Sequence, residues 1–207
     1  MPDVATRYLY LARHGEALPN ESALTETGRQ QALLLGRRLR GRGIATVYHG
    51  PLPRASQTAR LVGEQLTNAP LVELDAAGDY VPHVPGRNEL PDDCADFLLK
   101  FLDGVTHEEA ASGRDLARQA VERFTGPVTS DTDRHELLIT HNFLIAWLVC
   151  QALGAPAWRW LGLNFGNAAL TVIRYAPWRP ASLLVYNDMD HLPPEQRWTG
   201  FPPALRV

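Results

Sequence analysis

Four side chains could meet a phosphate-sized anion if the fold brings them together: Arg13, His14, Arg54 and His141. Each comes just after a short apolar run that reads as a buried strand, at residues 8–12, 46–48 and 136–140. In an open parallel sheet, ligands bind in the crevice beyond the carboxyl ends of the strands, so the four groups converge on one crevice. Guanidinium forks match the oxygens of a phosphate, and an imidazole adds a candidate nucleophile. Taken singly, each has an ordinary explanation, a hydrogen-bonded histidine or a solvated arginine at a helix start. Their shared position after strands is what points to phosphoryl chemistry.

The elements that must position them follow from periodicity. Leu24-Thr25-Glu26-Thr27-Gly28 opens a helix with Thr25 as N-cap, with apolar Ala32, Leu35 and Leu39 on one face, and with Gly41 and Gly43 ending it. A second helix is predicted at 54–66, with Ala55, Ala59, Val62 and Leu66 on its inner face and Arg54 in its first turn. Residues 70–93 carry several prolines and read as a loop forming a lid or pocket wall. Helices are expected at 92–103 and 107–124, and an apolar one at 143–153. Strands at 169–175 and 183–186, parted by Pro177-Trp178-Arg179-Pro180, suggest a hairpin-like pair, and the tail from Asn187 is polar. Alternating strands and helices without repeats or linkers predict a single α/β domain over 1–207, a three-layer α/β/α sandwich around a mostly parallel sheet.

Composition narrows the chemistry. With 207 residues, 45% apolar, 21% charged and a net charge of −3, the chain is a soluble globular protein. Disorder and a disulfide scaffold are excluded, the latter because only Cys94 and Cys150 are present. No apolar run approaches the roughly 20 residues of a membrane span, and MPDVATRYLY lacks a basic stretch followed by an apolar one, so no membrane association and a cytoplasmic location are expected. The acidic balance offers nothing to nucleic acid, and Arg37, Arg38, Arg40 and Arg42 read as a solvated face complementing a helix C-terminus. All but Lys100 of the 20 basic side chains are arginine, which removes a Walker-type loop. CxxC and HExxH are absent, so neither a metal nor a cofactor is expected. Nothing in the sequence speaks to oligomeric state.

Leu11-Ala12-Arg13-His14-Gly15-Glu16, with Asn20 following and then Leu24-Thr25-Glu26-Thr27-Gly28, resembles the first motif of the histidine phosphatase superfamily, in its phosphoglycerate-mutase-like branch. Gly50-Pro51-Leu52-Pro53-Arg54-Ala55-Ser56 is similar to that family's second motif and Ile139-Thr140-His141-Asn142 to its third, in the same order, across about residues 8–175. Two positions depart from the pattern: Gly50 stands where Ser usually precedes the proline, and Asn142 where Gly usually follows the histidine.

The resemblance implies a metal-independent phosphomonoester hydrolase in which neutral His14 attacks phosphorus, forming a phosphohistidine that water hydrolyses. Arg13, Arg54 and a cationic His141 would hold the phosphoryl oxygens, with Asn20 and Asn142 adding hydrogen bonds. Asp79 stands where the family carries its acid; Glu73, His83 and Glu89 are alternatives. The expected partner is a small phosphorylated substrate or a phosphopeptide. A phosphoglycerate mutase is the rival within the family, disfavoured because Tyr80 to Pro91 offers only Arg87 as a cation. A phospho-ligand-binding pseudoenzyme is the rival outside catalysis.

Overall fold

The computed structural model describes residues 4–206; Met1 to Asp3 and Val207, which the single-domain reading includes, lie outside the described residues. In chain order the elements are β1 (Val4–Ala5), β2 (Arg7–Arg13), α1 (Glu26–Leu39), β3 (Ile44–His49), α2 (Pro53–Gly63), β4 (Leu71–Glu73), α3 (Ala95–Leu102), α4 (His107–Phe124), β5 (Val128–Thr129), β6 (Arg134–Thr140), α5 (Asn142–Leu153), β7 (Leu170–Tyr175) and β8 (Ser182–Asp188). Six strands form one sheet in the order β4-β3-β6-β2-β7-β8, while β1 and β5 pair apart from it. β4, β3, β6 and β2 pair in parallel, β7 pairs antiparallel with β2, and β8 antiparallel with β7, so the sheet is mixed with β7 the reversed strand, and mostly parallel as expected.

The layers follow from strand alternation, which sends successive side chains to opposite faces. Tyr10 and Ala12 face Ala32, Leu35 and Leu39 of α1 and Ala55, Ala59 and Val62 of α2. Leu9 and Leu11 face the other way, into Ala120 and Phe124 of α4 and the apolar α5. Helices therefore cover both faces, as a three-layer sandwich requires. Thr25 caps α1 by accepting from the Gly28 amide at 3.0 Å, and Thr106 forms a capping box with Glu109 at the start of α4. Among the described residues, no helix is long and apolar enough to cross a membrane.

Two stretches differ from the sequence reading. α2 stops at Gly63, short of Leu66, and the 70–93 loop contains β4 at the sheet edge together with short 3-10 turns at Asp75–Ala77 and Arg87–Glu89. Three residues cannot reveal a strand by periodicity, and β4 is ordered by pairing with β3 (Val47 with Leu71, His49 with Glu73).

The Asp75–Ala77 turn is seated by Gly50. The Ala77 carbonyl accepts from the Thr140 hydroxyl at 2.6 Å, and a Cβ at Gly50 would stand 2.5 Å from the same oxygen. This close approach explains why Gly replaces Ser before the proline: any side chain here collides with the backbone that leads into Asp79. Gly50→Ser should therefore lower stability by about 1–3 kcal/mol, the usual cost of overpacking a fixed backbone. Denaturant midpoints for the two proteins measure it, and equal midpoints would refute the close-approach argument.

Candidate active site

Strand register brings the predicted residues together. β2 and β6 pair with Arg13 opposite Thr140, so His14 and His141 leave adjacent strand ends side by side, the His14 amide donating to the Thr140 carbonyl at 3.0 Å. Their ring centroids are 5.1 Å apart. β3 ends at His49, and Gly50 to Leu52 lead into α2, whose first turn presents Arg54. Thr58, one turn later, donates to the Arg54 carbonyl at 2.7 Å and accepts from the Gly15 amide at 3.0 Å, tying the helix to the β2 exit.

The tautomer of His14 is fixed by two partners. Its Nδ1 lies 2.8 Å from the Gly15 carbonyl oxygen, which can only accept, so Nδ1 carries the proton. Arg54 Nε, which can only donate, lies 3.2 Å from Nε2, so Nε2 carries the lone pair. Burial, reinforced by His141 and Arg13, holds the His14 imidazole well below its ordinary 6.5 and therefore neutral. His14 is thus a neutral imidazole with its basic nitrogen aimed among cations.

Arg54 is buried and uses all three nitrogens: Nε on His14, Nη1 on Glu21 at 3.0 Å and Nη2 on Asp79 at 2.7 Å. Arg13 Nη1 donates to the carbonyls of Phe165 at 2.9 Å and Gly200 at 2.8 Å, while its buried Nε meets no protein acceptor. His141 is 1% exposed, and neither ring nitrogen has a hydrogen-bond partner, although Asp79 Oδ2 approaches Nδ1 at 3.4 Å. Burial and the guanidiniums of Arg54 and Arg13 push His141 down to about 3. Among its protein neighbours alone His141 is thus held toward the neutral form, whereas the sequence reading has it cationic against phosphoryl oxygens. The same residue caps α5, whose first amides open beside it and add positive potential.

Of the remaining candidates, Asp79 reaches the cluster, through Arg54 and His141, and also lines a cavity of about 610 Å³ with Tyr80, Val81, Glu108, Leu116 and Phe143. Asn20 does not reach it: its side-chain oxygen accepts from the Ser22 amide and hydroxyl, and its neighbour Glu21 makes the contact to Arg54. The Asn142 side chain accepts from the Phe165 amide at 2.8 Å, leaving only its backbone near His141. Glu73 ends the edge strand β4, and His83 and Glu89 pair with each other at 2.9 Å. Sequence reasoning missed Glu21, at φ 59°, and Asn167, whose amide group donates to the His14 carbonyl at 2.9 Å. Neither sits in a motif or a periodic run, so no local signal marked them. Among the described residues, no cluster of three His, Cys, Asp or Glu side chains could hold a metal ion.

Residues 9–188 match the model of the histidine phosphatase superfamily (branch 1). The chain belongs to this family. It is 31% identical over 202 residues to the Caenorhabditis elegans protein named serine/threonine-protein phosphatase Pgam5, mitochondrial, covering 93% of this chain and 66% of that protein. The corresponding human protein is 27% identical over 199 residues, with the same coverage. The chain therefore spans just under two thirds of the length of these relatives. Solved structures with this fold include a mycobacterial hydrolase (25% identity, TM-score 0.63, 88% of this chain and 98% of that one). Another is the Plasmodium falciparum phosphoglycerate mutase (22% identity, TM-score 0.61, 91% and 95%). The cytoplasmic location expected from the sequence does not stand, because these histidine phosphatase relatives are named as mitochondrial.

The depressed His141 has a consequence for acid stability. The unfolded imidazole takes up a proton near 6.5 and the folded one only near about 3, so below 6.5 the unfolded state binds more protons. The histidine costs nothing above 6.5 and destabilises increasingly as pH falls toward about 3. His141→Gln should gain on wild type by about 1.4 kcal/mol per pH unit between roughly 6 and 4. Urea titrations across that window test this, and a pH-independent difference would contradict it.

Proposed function

We propose that this chain is a phosphomonoester hydrolase that carries the phosphoryl group on Nε2 of His14. The observation that supports it most is the His14 tautomer, because a proton held on Nδ1 by the Gly15 carbonyl leaves Nε2 as the nucleophilic nitrogen beside the Arg54 guanidinium. In the first step the Nε2 lone pair forms a bond to phosphorus as the ester P–O bond breaks, and Asp79 gives a proton to the departing oxygen. In the second, water attacks phosphorus, Asp79 takes its proton, the N–P bond breaks, and inorganic phosphate leaves. Arg13, Arg54 and His141 hold the equatorial oxygens, where fixed donors must meet the spread charge. The dianion itself favours a proton on His141, whose two ring nitrogens have no protein partner. Asn142 contributes its backbone amide; Asn20 contributes through the loop that carries Glu21.

The cavity beside Asp79 is on the side where the leaving group must take its proton, and its volume admits a peptide side chain or a small metabolite. A phosphopeptide or small phosphorylated substrate fits this reading, as do relatives named as serine/threonine phosphatases. A mutase is disfavoured because Arg87, the one cation between Tyr80 and Pro91, is exposed and paired with Asp96 at 2.5 Å. The site draws on residues from Arg13 to Gly200, in keeping with a chain that acts as a single domain.

His14→Ala should retain its fold and lose turnover of an aryl phosphate assayed with a chelator present. Acid-quenched wild type should yield an acid-labile, alkali-stable phosphoenzyme. Residual turnover near wild type, or a requirement for added Mg²⁺ or Zn²⁺, would sink the mechanism. Asp79→Asn should slow an alkyl phosphate by on the order of 10²-fold while sparing phosphorylation by an aryl phosphate, since only a poor leaving group needs the proton. Equal losses on both substrates would move the acid role to another residue.

A further inference from the structure

The family match ends at residue 188, and the chain beyond it turns back against Arg13. Met189 and Leu192 are buried and anchor this return. Two side chains and one backbone amide from the matched region then grip residues 196–200. Gln31, fully buried on α1, donates from Nε2 to the Gln196 carbonyl and the Thr199 hydroxyl, both at 2.8 Å, while its Oε1 accepts from the Glu16 amide at 2.8 Å. The Asn167 amide nitrogen donates to the Thr199 carbonyl at 2.9 Å, and its side chain donates to the His14 carbonyl. Arg13 Nη1 donates to the Gly200 carbonyl at 2.8 Å.

Gly200 has φ +70°, and a Cβ there would fall on Asn167 Oδ1 and lie 2.8 Å from Arg13 Nη1. A side chain is thus opposed both by the backbone conformation and by the two groups that flank His14. The contact also sorts the donors of Arg13. Nη1 is engaged by two backbone carbonyls, Phe165 before β7 and Gly200 in the tail after β8, whereas buried Nε meets no protein acceptor. A guanidinium clamped at one nitrogen presents its remaining edge in a fixed direction, as bidentate phosphate binding requires.

We propose that residues 196–200 form a strap whose Gly200 carbonyl, paired with that of Phe165, orients the Arg13 guanidinium toward the phosphoryl group, making Gly200 a positioning residue of the site. This rests on Arg13 being a phosphate ligand. The strap touches no reacting atom; it acts by removing the rotamer freedom that a long side chain would otherwise lose on binding.

Titrating the full chain with inorganic phosphate, for wild type, Gly200→Ala, Arg13→Ala and the double variant, tests this, with melting temperature recorded for each. Gly200→Ala should weaken phosphate binding about tenfold and Arg13→Ala about a hundredfold, with the double variant no weaker than Arg13→Ala alone, because coupled residues are not additive. Should Gly200→Ala not fold, Thr199→Val, which removes the hydroxyl that Gln31 grips and leaves Gly200 intact, should weaken binding about threefold, again only with Arg13 present. Wild-type affinity in the strap variants, or an equal loss in the Arg13→Ala background, overturns the strap. Unchanged affinity in Arg13→Ala itself overturns the reading of Arg13 as a phosphate ligand, and the strap with it, so the two failures are told apart.

Discussion

Like charge confined in a small buried volume is the constraint on which this site depends. Arg13, Arg54, His14 and His141 occupy adjoining positions at three strand ends, and all are buried except Arg13, which is partly buried. Four protonated groups so close together would repel strongly in a medium that screens poorly. The structure avoids this in two ways. Both imidazoles are held neutral by burial and by the guanidiniums, and the guanidiniums are met by acceptors: Glu21 and Asp79 on Arg54, the Phe165 and Gly200 carbonyls on Arg13. Burial, with repulsion from the neighbouring cations behind it, is what leaves a neutral histidine whose Nε2 lone pair accepts from Arg54 in an otherwise cationic place.

That arrangement needs the strand ends to be level. The β2–β6 register sets Arg13 beside Thr140, and the β3–β6 register sets His49 beside Ile139, so three loops leave the sheet within one turn of chain of each other. Thr140 then works twice, its carbonyl accepting from the His14 amide and its hydroxyl holding the Ala77 carbonyl. Through Ala77 the same residue places Asp79. A one-residue slip of β6 would turn Thr140 to the other face and detach both the histidine and the carboxylate.

The residues legible in the sequence are those whose position is set locally. His14 and His141 end apolar runs, Arg54 opens a periodic helix and Thr25 precedes one, so alternation and capping chemistry reveal them. Asp79 was legible only through a motif frame, because the turn before it is seated by Gly50 and Thr140 from distant parts of the chain. Asn20 and Glu21 are adjacent polar loop residues, and Glu21, at a left-handed φ, reaches Arg54 while the Asn20 side chain is held by Ser22. β7 and β8 form the hairpin-like antiparallel pair that the strands on either side of Pro177 to Pro180 suggest, whereas the antiparallel pairing of β7 with β2 joins distant parts of the chain and has no local signal. The tail reads as polar because its role is carried by backbone carbonyls, which no side-chain pattern encodes.

The charges of the site also determine what must change when an anion binds. The two guanidiniums are balanced by Glu21 and Asp79, and both histidines are neutral, so an arriving phosphate dianion meets a cluster without excess charge. Attraction then requires a rearrangement. Glu21 is mostly exposed and is held on Arg54 by a single contact from a left-handed backbone position, so returning it to water costs the least. Asp79 shares Oδ2 between Arg54 and His141 and opens on the cavity, so its carboxyl can leave Arg54 while staying at the cavity's edge. His141 has two unsatisfied ring nitrogens, and the dianion supplies the acceptor that a protonated imidazole there lacks among its protein neighbours. On this reading carboxylate release and proton uptake are what convert a neutral cluster into a binding site, and the proposed attack by His14 further requires Arg54 Nε to give up its contact with Nε2.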